Sequence, residues 1–182
     1  YFDDRDIASL LLINPDNPSG NFIPYASLLE LAEWSSRKGI RLIVDESFVD
    51  FSDGGVLNTL LDNQVLSKYP HLCVVKSISN SYGVPGLRLG VIVSADTALI
   101  SAMKKDVAIW NINSFAEYYM QIFGKYESDY LRSCDLFRQE RDRFFRELSA
   151  IDFIRIIPSQ ANYFLCEITS RFSSSELTRL LL

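Results

Sequence analysis

The chain has 182 residues, of which 48% are hydrophobic and 23% are charged, and its formal net charge is −5. This composition can bury a hydrophobic core, which excludes an intrinsically disordered chain. The acidic balance and the absence of any Lys/Arg cluster predict that neither nucleic acid nor a membrane surface is a partner. The length is enough for one domain of ordinary size, or for one domain and part of another.

The three cysteines lie far apart and His71 is the only histidine, so no metal site is predicted. The longest apolar stretches are too short to span a bilayer, and no signal-peptide pattern precedes them. Unpaired cysteines favour a cytoplasmic location. The first residue, Tyr1, and the ending at residues 180–182 suggest a piece of a longer protein.

The first elements form a strand, a helix and a strand. An apolar run at residues 7–13 predicts a buried strand, which ends at a turn with two prolines at residues 14–20. Apolar residues recur at helical spacing over residues 24–38, and Gly39 follows as a stop signal. Residues 40–44 predict a second buried strand. This order is typical of a βαβ unit in a parallel sheet.

Two further strands and a helix follow along the chain. Residues 72–75 predict a third strand, and residues 87–93 predict a fourth. Asp96 is a candidate N-cap for a short helix that reaches Met103. These elements would complete an α/β sheet.

The last third of the sequence indicates a long helix and a second unit. Residues 114–148 have a helical pattern, with an interruption expected near Gly124. A helix of this length favours a connection between two domains. Residues 151–157 and 162–167 alternate like two strands of a separate sheet, and a helix is expected to start near residues 173–176.

Polar side chains gather at the predicted strand ends. In open α/β sheets, ligands bind beyond the carboxyl ends of the strands. The residues in these positions are Asn14, Asn17, Asp45, Ser77 and Ser79. They predict a binding site at this edge of the sheet.

Three motifs carry a family resemblance. They are Asn-Pro-Asp-Asn-Pro-Ser-Gly at residues 14–20, Val-Asp-Glu-Ser-Phe-Val-Asp-Phe at 44–51, and Ser-Ile-Ser-Asn-Ser-Tyr-Gly at 77–83, which leads to Gly-Leu-Arg-Leu-Gly at 86–90. Their order and spacing resemble the class I/II aminotransferases, which depend on pyridoxal 5′-phosphate (PLP) and share the aspartate aminotransferase fold. Threonine-phosphate decarboxylase and histidinol-phosphate aminotransferase are closest in style. The similarity extends to Asn162 and covers about the middle half of such an enzyme.

The resemblance implies an α/β fold with a three-layer large domain, a mostly parallel sheet and part of an α+β small domain. Residues 1–112 would be the incomplete PLP-binding large domain. Residues 113–149 would be the connecting helix, and residues 150–182 the start of the small domain. Members of the family are homodimers with active sites at the interface, so a homodimer is expected.

The resemblance also assigns the cofactor contacts. Asp45 matches the carboxylate that keeps the PLP pyridine nitrogen protonated, and Asn17 matches the amide that bonds the ring hydroxyl. Ser77, Ser79 and Arg88 match the phosphate-binding set. The alternatives are a solvent-exposed acid, a turn-forming amide, plain turn hydroxyls and a surface ion pair.

One aromatic residue and one amide residue give information about the branch of the family and its substrate. Phe48 stands where many aminotransferases carry a tyrosine that contacts the ring oxygen, and phenylalanine there is more typical of threonine-phosphate decarboxylases. Asn162 resembles the residue that approaches the substrate carboxylate. It could equally cap a strand through its own side chain.

The position of the catalytic Schiff-base lysine is Asn80. In the family this lysine comes eight residues before the phosphate-binding arginine, and counting back from Arg88 reaches Asn80. Lys76 and Lys68 are out of register with the motif. The asparagine amide is not basic, so it can neither bond PLP covalently nor move a proton. A natural degenerate copy, a deliberate substitution and a sequence error all remain open.

The resemblance therefore predicts part of a PLP-dependent enzyme whose substrate is an amino acid or amino-acid phosphate. The decarboxylase branch would supply aminopropanol phosphate for cobalamin biosynthesis; the other branch would be a transaminase. This chain is expected to be inactive, with PLP absent or weakly bound, since the family's phosphate loop and C-terminal arginine are not among the 182 residues. The alternative is a non-catalytic PLP-fold module of a larger protein. A nucleotide-binding domain is disfavoured because no Gly-rich turn follows the first strand.

Overall fold

A computed structural model describes Phe2 and residues 5–182, which form two sheets. The strands are β1 (Ser9–Ile13), β2 (Arg41–Asp45), β3 (Leu72–Lys76), β4 (Val91–Val93), β5 (Ile154–Ile156) and β6 (Cys166–Ile168). The helices are α1 (Tyr25–Lys38), α2 (Asn63–Lys68), α3 (Ile78–Ser81), α4 (Thr97–Asp106), α5 (Ser114–Phe123), α6 (Glu127–Ser149) and α7 (Ser174–Leu181). Single 3₁₀ turns lie at Val49–Phe51, Gly55–Asn58 and Pro85–Leu87.

The large sheet has the order β1-β2-β3-β4. β1 and β2 pair in parallel, as do β2 and β3, whereas β3 and β4 are antiparallel. The expected mostly parallel α/β sheet is confirmed. β4 runs the other way because only α3 and a 3₁₀ turn separate it from β3, and a parallel return needs a longer crossover, usually a helix that packs on the sheet.

The core lies on one face of this sheet. Leu42 and Val44 of β2 and Leu72 of β3 pack there against Leu28 and Ala32 of α1, and all five are buried. Strand side chains alternate between faces, which explains why the even-numbered residues share the core. α1 ends where the sequence predicts, because the left-handed Gly39 (φ 68°) returns its N–H to the last carbonyls.

The opposite face is more open. Ile13, Asp45, Val75 and Ile92 follow one another in register across the four strands on this face. Leu11 on the same face is 64% exposed. The carboxyl end of β2 therefore presents Asp45 on the open side of the sheet.

α6 connects the two sheets. The expected interruption near Gly124 is present, between α5 and α6. Arg138 Nη1 donates to the Asp50 carbonyl at 3.1 Å, and Arg141 Nη1 donates to the Phe51 carbonyl at 2.6 Å. These bonds hold the helix to the segment that follows β2. Among the described residues, no helix combines the length and the apolar character needed to cross a bilayer.

Several predicted elements are shorter in the structure. The fourth strand covers only Val91–Val93, because the left-handed Arg88 (φ 56°) interrupts the extended backbone. β5 begins at Ile154, since Ile151 still bonds the end of α6 through Leu148. α2 was not predicted from the sequence. Asp62 caps it by accepting hydrogen bonds from the N–H groups of residues 64 and 65.

Candidate cofactor site

A cavity of about 400 Å³ opens at the carboxyl ends of β2 and β3. Four of the predicted cofactor residues line it, namely Asp45, Ser77, Ser79 and Arg88. Ser47, which the sequence analysis did not select, is also part of its wall. The structure thus brings together a carboxylate, hydroxyl groups and a guanidinium from residues that are far apart in sequence. Asp45 and Arg88 are 43 positions apart.

The Asp45 carboxylate is oriented by Ser47. The Ser47 N–H and hydroxyl both donate to Asp45 Oδ1, at 2.9 and 2.5 Å. The Ser47 hydroxyl also accepts the Ser77 N–H at 2.9 Å and so joins the two strand ends. Asp45 Oδ2 accepts no hydrogen bond from the described residues. This oxygen can therefore receive a donor from a ligand.

The two serines of the third motif differ in their bonding. Ser79 is buried, and its hydroxyl accepts the Leu89 N–H at 2.8 Å and donates to the Leu89 carbonyl at 3.1 Å. In this structure the Ser79 hydroxyl holds the loop to the start of β4. Ser77 is half-buried in the cavity wall. Ser77 is therefore the hydroxyl with more freedom to meet a ligand.

Arg88 supplies positive charge beside these serines. It is exposed, and its Nη1 donates to the Pro85 carbonyl at 3.3 Å. Its positive φ is unusual for a residue other than glycine, and such strained positions concentrate at functional sites. A guanidinium has five N–H donors, so one hydrogen bond leaves most of them for an anion.

Asn80 lies in α3, immediately after Ser79. Its helix neighbours Ile78, Ser79 and Ser81 are buried, whereas Asn80 is exposed. The Ser81 hydroxyl donates to the Ser47 carbonyl at 2.8 Å. α3 is therefore bonded to the turn that carries Asp45, and Asn80 follows the cavity residue Ser79 in sequence but does not itself line the cavity.

Lys76 is engaged on the other side of the sheet. Its Nζ lies 2.6 Å from Asp50 Oδ1, and the Tyr130 hydroxyl donates to Asp50 Oδ2 at 2.6 Å. Burial, followed by the charge of Asp50, raises the pKa of Tyr130 and keeps it protonated. This cluster was not predicted from the sequence. A lysine on the buried face of a strand could have revealed it, since buried lysines are paired.

Four predicted site residues do not line this cavity, and one of them is Asn80. Asn17 is exposed in the turn after β1, where the Asn17–Pro18 peptide bond is cis. The ring of Phe48 packs edge-on against Tyr163, with centroids 5.2 Å apart. Asn162 is exposed and lines a separate groove of about 460 Å³ between α6 and β6.

Tyr163 connects the small sheet to the turn after β1. Its hydroxyl donates to the Asp16 carbonyl at 2.9 Å. Burial, with smaller contributions from the charges of Asp16 and Asp45, raises the pKa of Tyr163 to about 12. Sequence reasoning missed this residue, although its position directly after Asn162 in the motif was a signal.

Comparison with known proteins decides the family. A family model described as aminotransferase class I and II matches residues 3–182. The chain belongs to the class I and II aminotransferase family. Within this family, CMP-5′-(3-aminopropyl)phosphonate synthase of Streptomyces rubellomurinus is 32% identical over 94% of the chain. Threonine-phosphate decarboxylase of Salmonella typhimurium is 32% identical over 89% of the chain.

Solved structures of a decarboxylase and of an aminotransferase have the same fold as this aminotransferase-family chain. A decarboxylase from Sulfurospirillum multivorans has a TM-score of 0.84 at 31% identity, over 96% of this chain and 50% of that one. Histidinol-phosphate aminotransferase from Clostridium acetobutylicum has a TM-score of 0.84 at 27% identity, over 96% of this chain and 51% of that one. The chain spans 27% of the synthase and 44% of the Salmonella decarboxylase, less than half of each curated relative.

Proposed function

We propose that this chain is part of a PLP-dependent enzyme that acts on an amino acid or an amino-acid phosphate. The observation that carries this proposal is the cavity in which Asp45, Ser77 and Arg88 come together. A carboxylate, a hydroxyl and a guanidinium are the groups that a protonated pyridine ring and a phosphate require.

The residues present fit the cofactor. Asp45 Oδ2, which no described residue bonds, would hold the proton on the pyridine nitrogen. Arg88 would bind the phosphate with Ser77, while Ser79 keeps their loop in place. When bound, PLP supplies an electron sink for bonds at the amino-acid Cα. Asn17 is proposed to contact the ring hydroxyl, Phe48 to pack beside the ring, and Asn162 to meet the substrate carboxylate.

The relatives favour an amino-acid phosphate as the substrate class. A threonine-phosphate decarboxylase and an L-serine phosphate decarboxylase are each 32% identical to the chain, and a histidinol-phosphate aminotransferase is 28% identical. Phe48 also favours the decarboxylase branch and, with it, a role in cobalamin biosynthesis. An aminotransferase that acts on histidinol phosphate is the second possibility within the class.

We further propose the arrangement expected for the family. Residues 1–112 would belong to the cofactor domain, 113–149 to the connecting helix and 150–182 to the small domain. The bonds from Arg138 and Arg141 to the segment after β2 support a connecting role for α6. A cytoplasmic homodimer is the proposed assembly.

The chain itself is proposed to be inactive. Asn80 replaces the lysine, and the amine of Lys76 is held by Asp50 on the opposite face of the sheet. Asn80 equally supports the alternative, a non-catalytic PLP-fold module with a regulatory or structural role. Covalent capture of the cofactor separates an enzyme site that lost one residue from a module that never bound PLP.

The test is Asn80→Lys at saturating PLP. The lone pair of the new amine would attack the aldehyde carbon, a C=N bond would form and water would leave, giving a yellow protein. Borohydride should then fix the cofactor to residue 80, as mass spectrometry of peptides would show. Asn63→Lys, another exposed asparagine, which lies in α2 away from the third motif, is the matched control. No capture at residue 80 in a folded variant would contradict the proposal.

A further inference from the structure

Ser47 is a buried residue of the cavity wall, next to Asp45 and Ser77. A serine hydroxyl can donate one hydrogen bond and accept others, and this one does both. It donates to Asp45 Oδ1 at 2.5 Å and accepts the Ser77 N–H at 2.9 Å. A single hydroxyl therefore joins the carboxylate at the end of β2 to the serine at the end of β3.

The orientation of the Asp45 carboxylate depends on Ser47. The Ser47 N–H donates to Oδ1 at 2.9 Å, as in turns where an aspartate bonds the backbone two residues further on. The hydroxyl adds the second bond to the same oxygen, and no other described residue donates to this side chain. Because both bonds meet Oδ1, they determine which carboxylate oxygen is left for a ligand.

Ser47 is itself held from two sides. The Ser81 hydroxyl of α3 donates to the Ser47 carbonyl at 2.8 Å. The N–H of Glu46, the preceding residue, donates to the Val75 carbonyl of β3 at 2.8 Å. Groups that are locked by their neighbours in this way can keep a binding residue in one geometry.

We propose that Ser47 is a positioning residue that makes the cavity specific for a ligand with a protonated ring nitrogen. The inference rests on the proposed function, because it assumes that Asp45 meets the ring nitrogen of a vitamin B6 phosphate. The Ser47 hydroxyl is already bonded twice, so it acts through Asp45 and Ser77 and not by bonding the ligand. It fixes Asp45 Oδ2 relative to the phosphate-binding group of Ser77 and Arg88, and such pre-organisation lowers the cost of binding.

Loss of this hydroxyl should weaken the contact to the ring nitrogen in particular. Asp45 would keep the backbone bond to Oδ1 and lose the shorter bond, so its carboxylate could rotate away from the ligand. The Ser77 N–H would lose its acceptor at the same time. A bond from a protonated ring nitrogen to a carboxylate is charge-assisted, and we expect its misalignment to weaken binding roughly tenfold.

The experiment compares two ligands of the whole chain, pyridoxine 5′-phosphate and its deaza analogue, in which a C–H group replaces the ring nitrogen. Neither compound has an aldehyde, so calorimetry measures non-covalent binding. We expect the wild type to prefer the compound with the ring nitrogen, and Ser47→Ala to lower this preference roughly tenfold. General damage to the fold would weaken both ligands alike and leave the ratio of their dissociation constants unchanged.

Ser35→Ala is the matched control. Ser35 is also a buried serine whose hydroxyl has two partners, the Ala32 carbonyl at 3.0 Å and His71 Nε2 at 2.9 Å, but it lies in α1. Its loss should leave the ratio unchanged. Ser47→Thr keeps the hydroxyl and should keep the ratio. Ser47→Cys, a weak donor of similar size, should lower the ratio by less than Ser47→Ala and preserves the test if the alanine variant does not fold.

Asp45→Ala should abolish the preference, and adding Ser47→Ala to it should change the ratio no further. Two outcomes would overturn the inference and leave the proposed function standing. One is the same ratio in Ser47→Ala as in the wild type. The other is a further change of the ratio in the double variant, because Ser47 would then act independently of Asp45. If the wild type does not bind pyridoxine 5′-phosphate at millimolar concentration, the proposed function fails, and the inference fails with it.

Discussion

Tyr163 shows how one hydroxyl joins distant parts of the chain. It donates to the Asp16 carbonyl, 147 residues away in sequence, while its ring packs against Phe48. The pKa of about 12 means that this hydroxyl stays protonated, and remains a donor, throughout the neutral range. The turn that presents Asn17 therefore depends on a residue in the segment between β5 and β6.

The raised pKa of Tyr163 predicts a pH dependence of stability. An unperturbed tyrosine has a pKa of about 10. The folded value is higher, so the stabilising contribution is complete below about pH 10 and is lost as the pH rises towards 12. Near neutral pH, the free energy of unfolding of the wild type should exceed that of Tyr163→Phe by about 1 kcal/mol. This difference should shrink in urea unfolding above about pH 10.

Tyr118→Phe is the control for this comparison, because Tyr118 is exposed. We expect it to match the wild type at each pH. A difference between the wild type and Tyr163→Phe that stays constant with pH would contradict the assignment of the hydroxyl.

At the residue scale, the sequence predicts the groups that are tied to motifs. Asp45 and Ser77 reach the cavity because they lie at the carboxyl ends of β2 and β3, and Arg88 reaches it from the loop before β4. Ser47 and Tyr163 were missed, since their roles depend on hydrogen bonds that form only after the chain has folded. The spacing of a motif does not encode such partners.

The buried pair of Lys76 and Asp50 fixes α6 against the end of β3. Both residues are buried, and Tyr130 of α6 completes the cluster. Lys76→Met should lower the free energy of unfolding by about 3–5 kcal/mol, because it leaves the Asp50 carboxylate buried without its cation. Chemical denaturation would measure the loss.

The matched control is Arg143→Met, which breaks the exposed pairs with Glu140 and Glu147. That change should cost less than about 1 kcal/mol. The double variant Lys76→Met/Asp50→Asn should lose less free energy of unfolding than Lys76→Met alone, because no unpaired charge remains buried. Equal losses for Lys76→Met and Arg143→Met would show that the buried pair does not stabilise the fold.

The contact between Gly20 and Ser159 joins the turn after β1 to the segment before β6. A Cβ added at Gly20 would overlap Ser159 Oγ and lie 3.0 Å from the Ser159 Cα, and the backbone there has φ +72°. Gly20→Ala should therefore destabilise the fold by about 2–4 kcal/mol, from overpacking and backbone strain together. Thermal or urea unfolding measures this loss.

Gly39→Ala separates the two causes, since Gly39 has a similar φ of +68° with nothing within 4 Å of the added Cβ. It should cost about 1 kcal/mol, the strain alone. Adding Ser159→Gly to Gly20→Ala should recover part of the loss. If Gly20→Ala and Gly39→Ala behave alike, the close approach is not what limits position 20.

At the element scale, local signals in the sequence predicted the ends of α1, α4 and α7 but not the direction of β4. Gly39 ends α1, Asp96 caps α4 and Ser173 caps α7, as expected from residues adjacent in sequence. The antiparallel direction of β4 was not predicted, because strand direction depends on the path of the chain between strands. The predicted strands at residues 7–13, 87–93, 151–157 and 162–167 begin two to four residues before the observed strands, because hydrophobicity extends beyond the hydrogen-bonded ladder.

At the scale of the whole molecule, an apolar surface is exposed between α4 and α5. Ile109, Trp110 and Phe115 are 95%, 92% and 80% exposed. Patches of this kind promote association. We expect sedimentation velocity to show concentration-dependent self-association of the chain. The double variant Ile109→Ser/Trp110→Ser should sediment more nearly as a monomer.

Leu57→Ser is the control, because Leu57 is 83% exposed but lies elsewhere, in the 3₁₀ turn Gly55–Asn58. It should leave the association unchanged. Equal sedimentation of all three proteins would rule out this surface as the region of contact.

The exposure of Asn80 has a consequence for natural selection. The folding of α3 depends on Ile78, Ser79 and Ser81, whose side chains are buried, and not on the residue between them. An exchange of lysine for asparagine at position 80 therefore leaves the stability of the protein, and hence its abundance in a cell, nearly unchanged. Quality-control proteases would not remove such a copy. Its fate would be decided by ligand binding alone.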